Sequence, residues 1–199
     1  MPPPPRLILA TRNAHKTAEI RAMLGDRFEV LDVTSFPECP EIEETGTTFL
    51  ENARLKAEGI SRVLGGWVLS DDSGLEVDAL GGAPGVWSSS FGGEEGNHSR
   101  NNERLLAEME GQTERRARFR CTLVLAREGL AQANFSGSVE GRIIANSRGA
   151  QGFGYDPLFI PDGFAQTFAE LGESVKNTLS HRSRALAKAI DFLEHSISK

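Results

Sequence analysis

The chain has 199 residues, 39 % hydrophobic and 25 % charged, with a net charge of −6 from 28 acidic and 22 basic residues. That size suits one well-cored domain or one domain in two lobes; the acid excess argues against long nucleic acid as a partner, and no apolar run approaches the roughly 18 residues of a membrane span. A small phosphorylated ligand stays open, because a few local lysines and a bound cation reverse the field inside one site.

Residues 1–5 carry four consecutive prolines and no apolar h-region, so they read as a disordered, Pro-rich tail rather than a secretory signal. Residues 6–199 are then expected to form a single folding unit. Cys39 and Cys121 form no metal spacing and no disulfide framework, which makes a reduced, cytoplasmic setting the default.

Arg6 to Thr11 is an apolar run of the buried-strand kind, and Asn13 after it is a good N-cap. Ile20, Met23 and Leu24 at helical spacing, closed by Gly25, predict a helix over 14–24. Backbone N–H groups at such a helix start attract anions, and Lys16 adds a full charge there; the competing reading is a solvated lysine, since the segment is not a P-loop. Phe28 to Val33 reads as a second strand. Glu41, Glu43 and Glu44 then crowd ahead of Thr47 and Thr48, and Phe49, Ala53, Ala57, Ile60 and Leu64 mark an amphipathic helix ending at Gly65.

The run from Trp67 to Phe91 looks most like a site. A short strand, Trp67 to Leu69, delivers Asp71 and Asp72 into a Ser-Gly turn, and a Gly-Gly-Ala-Pro-Gly loop follows. Two carboxylates leaving a strand suit a hard divalent ion such as Mg2+; an Asp-capped turn is the equally weighted alternative. Further on, 101–109 reads as a short helix. Residues 117–126, 131–137 and 139–144 read as an antiparallel meander, with Glu128-Gly129 as a hairpin turn and Gly137 and Gly141 as bulges or turns. This mixture favours an α/β or α+β arrangement over a doubly wound parallel sheet.

Arg148 to Phe159 is a second Gly-rich segment, in which Phe153 and Tyr155 alternate with glycines; the rings either stack on a nucleobase or plug the core. Ser180 then caps a final helix through Leu186, Ile190, Leu193 and Ile197. Lys176, His181 and Arg182 gather at its start, where basic residues oppose the helix dipole and make better sense facing a ligand.

Four segments, TRNAHK, SDDSGLEVDALGGAPGVWSSSF, GFGYDPLF and KNTLSHRSRAL, together with Glu43 to Ala53, resemble the signature blocks of the inosine/xanthosine triphosphate pyrophosphatase family. The resemblance runs in order over nearly the whole chain. It implies an α/β protein with a long mixed twisted sheet and flanking helices, two lobes around a central cleft, a homodimer, and Mg2+-dependent hydrolysis of ITP, dITP or XTP to the monophosphate and pyrophosphate. By position it implies substrate binding by Thr11, Arg12, Asn13, Ala14, His15, Lys16, Ser73, Phe153, Gly154, Tyr155, Asp156, Lys176, His181 and Arg182. It also implies Glu43 and Asp72 on the metal, with Lys16 and Asp72 catalytic and Asp72 as proton acceptor. Arg12 and His15 depart from the family's usual residues, which are a glycine after the threonine and a Gly or Lys before the lysine.

On this reading a metal-bound water attacks the α-phosphorus, and catalysis is positioning plus electrostatics. Arg182 or His181 donating to a 6-oxo group would accept hypoxanthine and xanthine and leave donors unpaired against adenine; guanine shares that edge, so its rejection falls to the 2-position. The rival readings are a Maf-type pyrophosphatase of modified pyrimidine nucleotides and a nucleotide-binding sensor that does not hydrolyse.

Overall fold

The computed structural model describes residues 3–197. Its strands are β1 (Arg6–Leu9), β2 (Glu29–Asp32), β3 (Trp67–Val77), β4 (Arg116–Arg127), β5 (Leu130–Ile143) and β6 (Phe159–Pro161). The helices are α1 (Ala14–Leu24), α2 (Phe49–Leu64), α3 (His98–Glu108), α4 (Phe168–Leu171), α5 (Glu173–Leu179) and α6 (His181–Ile197). One six-stranded sheet runs β2-β1-β3-β4-β5-β6. It is mixed, because β1 pairs in parallel with both β2 and β3 while β5 and β6 are antiparallel. This is the α/β class expected.

The described residues divide into two compact units, 3–72 with 121–137 and 183–197, and 73–120 with 138–182. In the first unit β1, β3 and β4 are buried on both faces, and alternation assigns each residue to a side. Leu7, Leu9, Leu69, Cys121, Leu123 and Leu125 pack with Ile20 and Leu24 of α1 and with Leu186, Ala189 and Leu193 of α6. Their strand neighbours Ile8, Ala10 and Val68 pack instead with Ile60 of α2, and Val124 and Ala126 with that helix's Ala53 and Ala57. Truncating one such leucine to alanine costs about 2–5 kcal/mol. The second unit has its own core, in which Leu75, Val77, Phe119, Tyr155, Phe159 and Phe168 meet.

Local signals account for most boundaries. Asn13 caps α1 by accepting from the N–H groups of His15 and Lys16, and α2 opens with a Thr48–Glu51 capping box. Glu128 and Gly129 both have positive φ, 55° and 80°, as a tight hairpin turn between β4 and β5 requires.

Four expectations change. The Asp71-Asp72-Ser73-Gly74 run is not a turn: it lies inside β3, which continues for 11 residues to Val77, so the two aspartates point to opposite faces. The two strands expected across Gly137 are one, β5, with Gly141 lying where any Cβ would run into the Ile160 backbone and the Phe159 ring. The short helices α4 and α5 carry no readable periodicity and were not expected. Of the tail, Met1 and Pro2 lie outside the described residues, while Pro5 is already held, its carbonyl accepting from Glu29 N–H at 2.9 Å.

Candidate active site

In the first unit, the β1–α1 loop and the first turn of α1 carry Thr11 to Lys16. Asn13 N–H donates to Thr11 Oγ1 at 3.1 Å, and Asn13 Oδ1 accepts from the His15 and Lys16 amides at 3.0 and 3.1 Å. Those two amides are therefore already engaged by the cap. Arg12 does not crowd the loop; its guanidinium donates to the Cys39 carbonyl at 3.0 Å. Ala14 and His15 are exposed on the first turn of α1.

Lys16 reaches back to β3, where its Nζ lies 2.6 Å from Asp71 Oδ1. Asp71 is buried, and its other oxygen accepts from Cys121 Sγ at 3.2 Å. On the opposite face of β3, Asp72 meets Lys56 from α2. Lys56 Nζ is 3.4 Å from Asp72 Oδ1, 2.8 Å from Glu44 Oε2 and 3.0 Å from the Asp71 carbonyl. Consecutive aspartates thus each face one lysine from a different helix, a consequence of strand alternation.

Lys56 was not foreseen, though the sequence held a signal for it. The buried stripe of α2 includes Phe49, Asn52, Ala53, Ala57 and Ile60, and Lys56 stands in that stripe as a polar residue on an apolar face. Asn52, another polar member, accepts from Gly46 N–H at 2.7 Å and so holds the loop that carries Glu44 against the helix. Gly46 is required there, since an added Cβ would sit 2.6 Å from both Asn52 Oδ1 and Glu51 Cβ. Glu44 is the carboxylate brought to Lys56; Glu43, the expected metal ligand, lies beside it on the same loop, and both are exposed.

The electrostatics set Asp72 apart. Burial pushes its carboxyl up to about 6, against the pull of Lys56 and Lys16, with Glu44 and Asp71 adding to the rise. Burial works to lower the Lys56 ammonium, but Asp72, Glu44 and Asp71 leave it raised, so the lysine stays charged. Asp72 Oδ2 is buried with no hydrogen-bond partner among the described residues. No group of three or more His, Cys, Asp or Glu among those residues is placed to hold a metal ion. The orphaned Asp72 oxygen, with Glu44 nearby, nevertheless fits a hard cation that takes its remaining ligands from water and phosphate, the habit of Mg2+.

In the second unit, Asp156 organises the Gly-rich loop. Its Oδ2 accepts from Phe153 N–H at 2.9 Å and from Lys176 Nζ at 2.6 Å, with both charged groups buried. Gly152, at φ 78°, leaves room for that carboxylate. Lys176 Nζ also lies 4.4 Å from the Phe153 ring centroid, and Arg182 Cζ lies 5.9 Å from it. The Gly154 carbonyl accepts from Asn102 Nδ2 of α3 at 3.1 Å. The two aromatic residues differ in burial. Tyr155 is buried in the core with its hydroxyl donating to the Ser88 carbonyl at 2.8 Å, whereas Phe153 is half-buried. At the start of α6, Arg182 donates to Ser73 Oγ at 3.0 Å, and His181 stacks on Phe119 with centroids 5.0 Å apart. Each unit thus assembles its share of the expected residues around buried charge.

Residues 7–192 match the model of the Ham1 family. The dITP/XTP pyrophosphatase of Bacillus licheniformis is 47 % identical over 193 residues, covering 96 % of this chain and 98 % of its own. That of Geobacter sulfurreducens is 48 % identical over 191 residues, covering 94 % and 96 %. Among solved structures, a HAM1 protein from Coxiella burnetii aligns with a TM-score of 0.87 at 36 % identity, over 96 % of this chain and 100 % of that one. The dITP/XTP pyrophosphatase of Mycobacterium abscessus aligns with a TM-score of 0.76 at 37 % identity, over 92 % and 98 %. With the family model spanning both units and relatives aligned nearly end to end, this chain belongs to the Ham1 family.

Proposed function

We propose that this protein hydrolyses non-standard purine nucleoside triphosphates, ITP, dITP and XTP, to the monophosphate and pyrophosphate, and so cleanses the nucleotide pool. The observation that carries the reading is Asp72: a buried carboxylate with one oxygen unpartnered among the described residues and Lys56 beside the other, its carboxyl pushed up by burial to about 6. That is the form of a general base poised for work near pH 7. The names borne by the relatives in Bacillus licheniformis and Geobacter sulfurreducens support the purine substrate class over the pyrimidine and sensor alternatives.

In this mechanism Asp72 takes a proton from the attacking water as its oxygen bonds to the α-phosphorus. The bond from that phosphorus to the α–β bridging oxygen breaks, and pyrophosphate leaves with the electron pair. Lys16 and Lys56 hold the phosphates and offset the charge on the leaving group. Asp72 and Glu44 would hold Mg2+, which when bound supplies positive charge and acidifies water. Phe153 offers the base a ring face. Lys176, His181 and Arg182 supply donors for a 6-oxo acceptor, which adenine lacks; rejection follows from the donors left unpaired. Ser73 keeps Arg182 in place.

A homodimer and a cytoplasmic setting complete the reading. Among the described residues no helix is long and apolar enough to cross a membrane. The deciding experiment is pyrophosphate release from ITP, dITP, XTP, dTTP and ATP with and without Mg2+, beside a mass measurement in solution. Equal turnover of ATP and ITP would refute the base readout, and full turnover in chelator would remove the metal.

A further inference from the structure

Lys16 and Asp71 form a buried ion pair, with Nζ to Oδ1 at 2.6 Å and side-chain exposures of 15 % and 1 %. Such a pair is costly to desolvate and is tolerated only with good geometry and further hydrogen bonds. Here the second carboxylate oxygen is met by the Cys121 thiol at 3.2 Å, from the neighbouring strand β4. The carboxylate is therefore fixed from two sides: by the rigid backbone of β3 and by a donor on β4. A lysine has a flexible four-carbon stem, so an ammonium that must meet a developing charge needs something to define its position.

We propose that Asp71 is a positioning residue for Lys16, holding its ammonium for the departing pyrophosphate, with Cys121 orienting the carboxylate. Asp71 does not itself touch substrate. The inference rests on the reading of Lys16 as a phosphate-binding residue. It separates the roles of the two adjacent aspartates: Asp72 handles the proton on one face of β3, and Asp71 places the leaving-group cation on the other.

The test is a double-mutant cycle with Lys16→Met and Asp71→Asn, reading kcat and KM for ITP by pyrophosphate release, and Tm for folding. Asp71→Asn should lower kcat about tenfold or more while KM changes less than about threefold, as expected when a transition-state contact is misplaced. In the Lys16→Met background the same change should add less than about a twofold loss, because the two residues act as one unit. Equal losses in both backgrounds would overturn the proposal, since Asp71 would then act through the fold or through Asp72. Wild-type turnover in Lys16→Met alone would sink the reading of Lys16 instead, and the proposal with it. If Asp71→Asn does not fold, Asp71→Glu serves: it keeps the charge, displaces the carboxylate by one methylene, and should lose kcat only where Lys16 is present. Cys121→Val should lower kcat in the same sense by a smaller factor, and an unchanged kcat there would remove the thiol from the assignment.

Discussion

Lys56 on α2 and Asp72 on β3 face each other across 3.4 Å, and the lysine does not fully satisfy the aspartate, whose Oδ2 is left without a donor among the described residues. Burial consequently raises the Asp72 carboxyl from 3.8 to about 6 despite the nearby ammonium. Between those two values the folded protein binds a proton that the unfolded chain does not. The group's contribution is thus most favourable at low pH and is lost as pH rises through about 6. In chelator, Asp72→Asn should therefore gain stability relative to the parent as pH goes from 4 to 7, by no more than roughly 3 kcal/mol. Thermal melts across that range give the sign directly. Added Mg2+ should stabilise the parent at pH 7 and leave Asp72→Asn unmoved; equal stabilisation of both would place the cation elsewhere.

Turnover should respond to the same change far more sharply. Removing a general base typically costs about 100- to 10,000-fold, and Asp72→Asn should lose pyrophosphate release within that range while still binding ITP in an equilibrium assay. Substantial residual activity would transfer the base role to another group.

How far this site could be read in advance depended on where its determinants lie in the chain. Asn13, Gly25, Thr48 and Gly65 mark α1 and α2 because capping is decided within a few residues. Asp71 to Gly74 has the composition of a turn, and what keeps it in a strand is supplied from elsewhere: Lys16, Lys56 and Cys121 meet its carboxylates from three other elements. Local chemistry cannot see those partners. Lys56 was legible only as a charge on the apolar stripe of α2. Phe153 and Tyr155 share a Gly-rich setting, and it took the Ser88 carbonyl, 67 residues from the tyrosine, to separate a core plug from an available ring.

Gly46 should be intolerant of a side chain for steric rather than conformational reasons. Its Cβ would meet Asn52 Oδ1 and Glu51 Cβ at 2.6 Å, in the bond that seats the Glu44 loop on α2. Gly46→Ala should lower stability by about 1–3 kcal/mol through overpacking. It should also weaken the Mg2+-dependent rise in Tm, because Glu44 moves with the loop. A melt with Mg2+ titration separates the effects; an unaltered metal response would show that Glu44 is not a ligand.

Lys176 is buried against Asp156, and neither charge has water to fall back on. Lys176→Met should cost roughly 3–5 kcal/mol, the penalty of leaving one buried charge unpaired. Adding Asp156→Asn should recover part of it, since the amide oxygen can still accept from Phe153 N–H. Denaturant unfolding of the two single variants and the double variant measures the coupling. Additive losses would mean that the pair is not the source of the effect.

The proposed base-stacking role falls to Phe153, because Tyr155 is committed to the core by its hydroxyl bond to Ser88 and Phe153 is only half-buried beside Lys176. Stacking on an aromatic face is worth about 1–3 kcal/mol and is made in the ground state and the transition state alike. Its loss is therefore uniform binding, which raises KM and leaves kcat near its starting value. Phe153→Leu keeps apolar volume and removes the π-face, so kcat/KM for ITP and XTP should fall about 5- to 150-fold, almost wholly through KM. Tyr155→Phe should instead lower stability by about 1 kcal/mol with kinetics unchanged, the cost of one buried hydrogen bond. Steady-state kinetics beside thermal melts on the two variants tests the division. A KM effect at Tyr155 with none at Phe153 would reverse it, and would make the buried ring rather than the half-buried one the partner of the base.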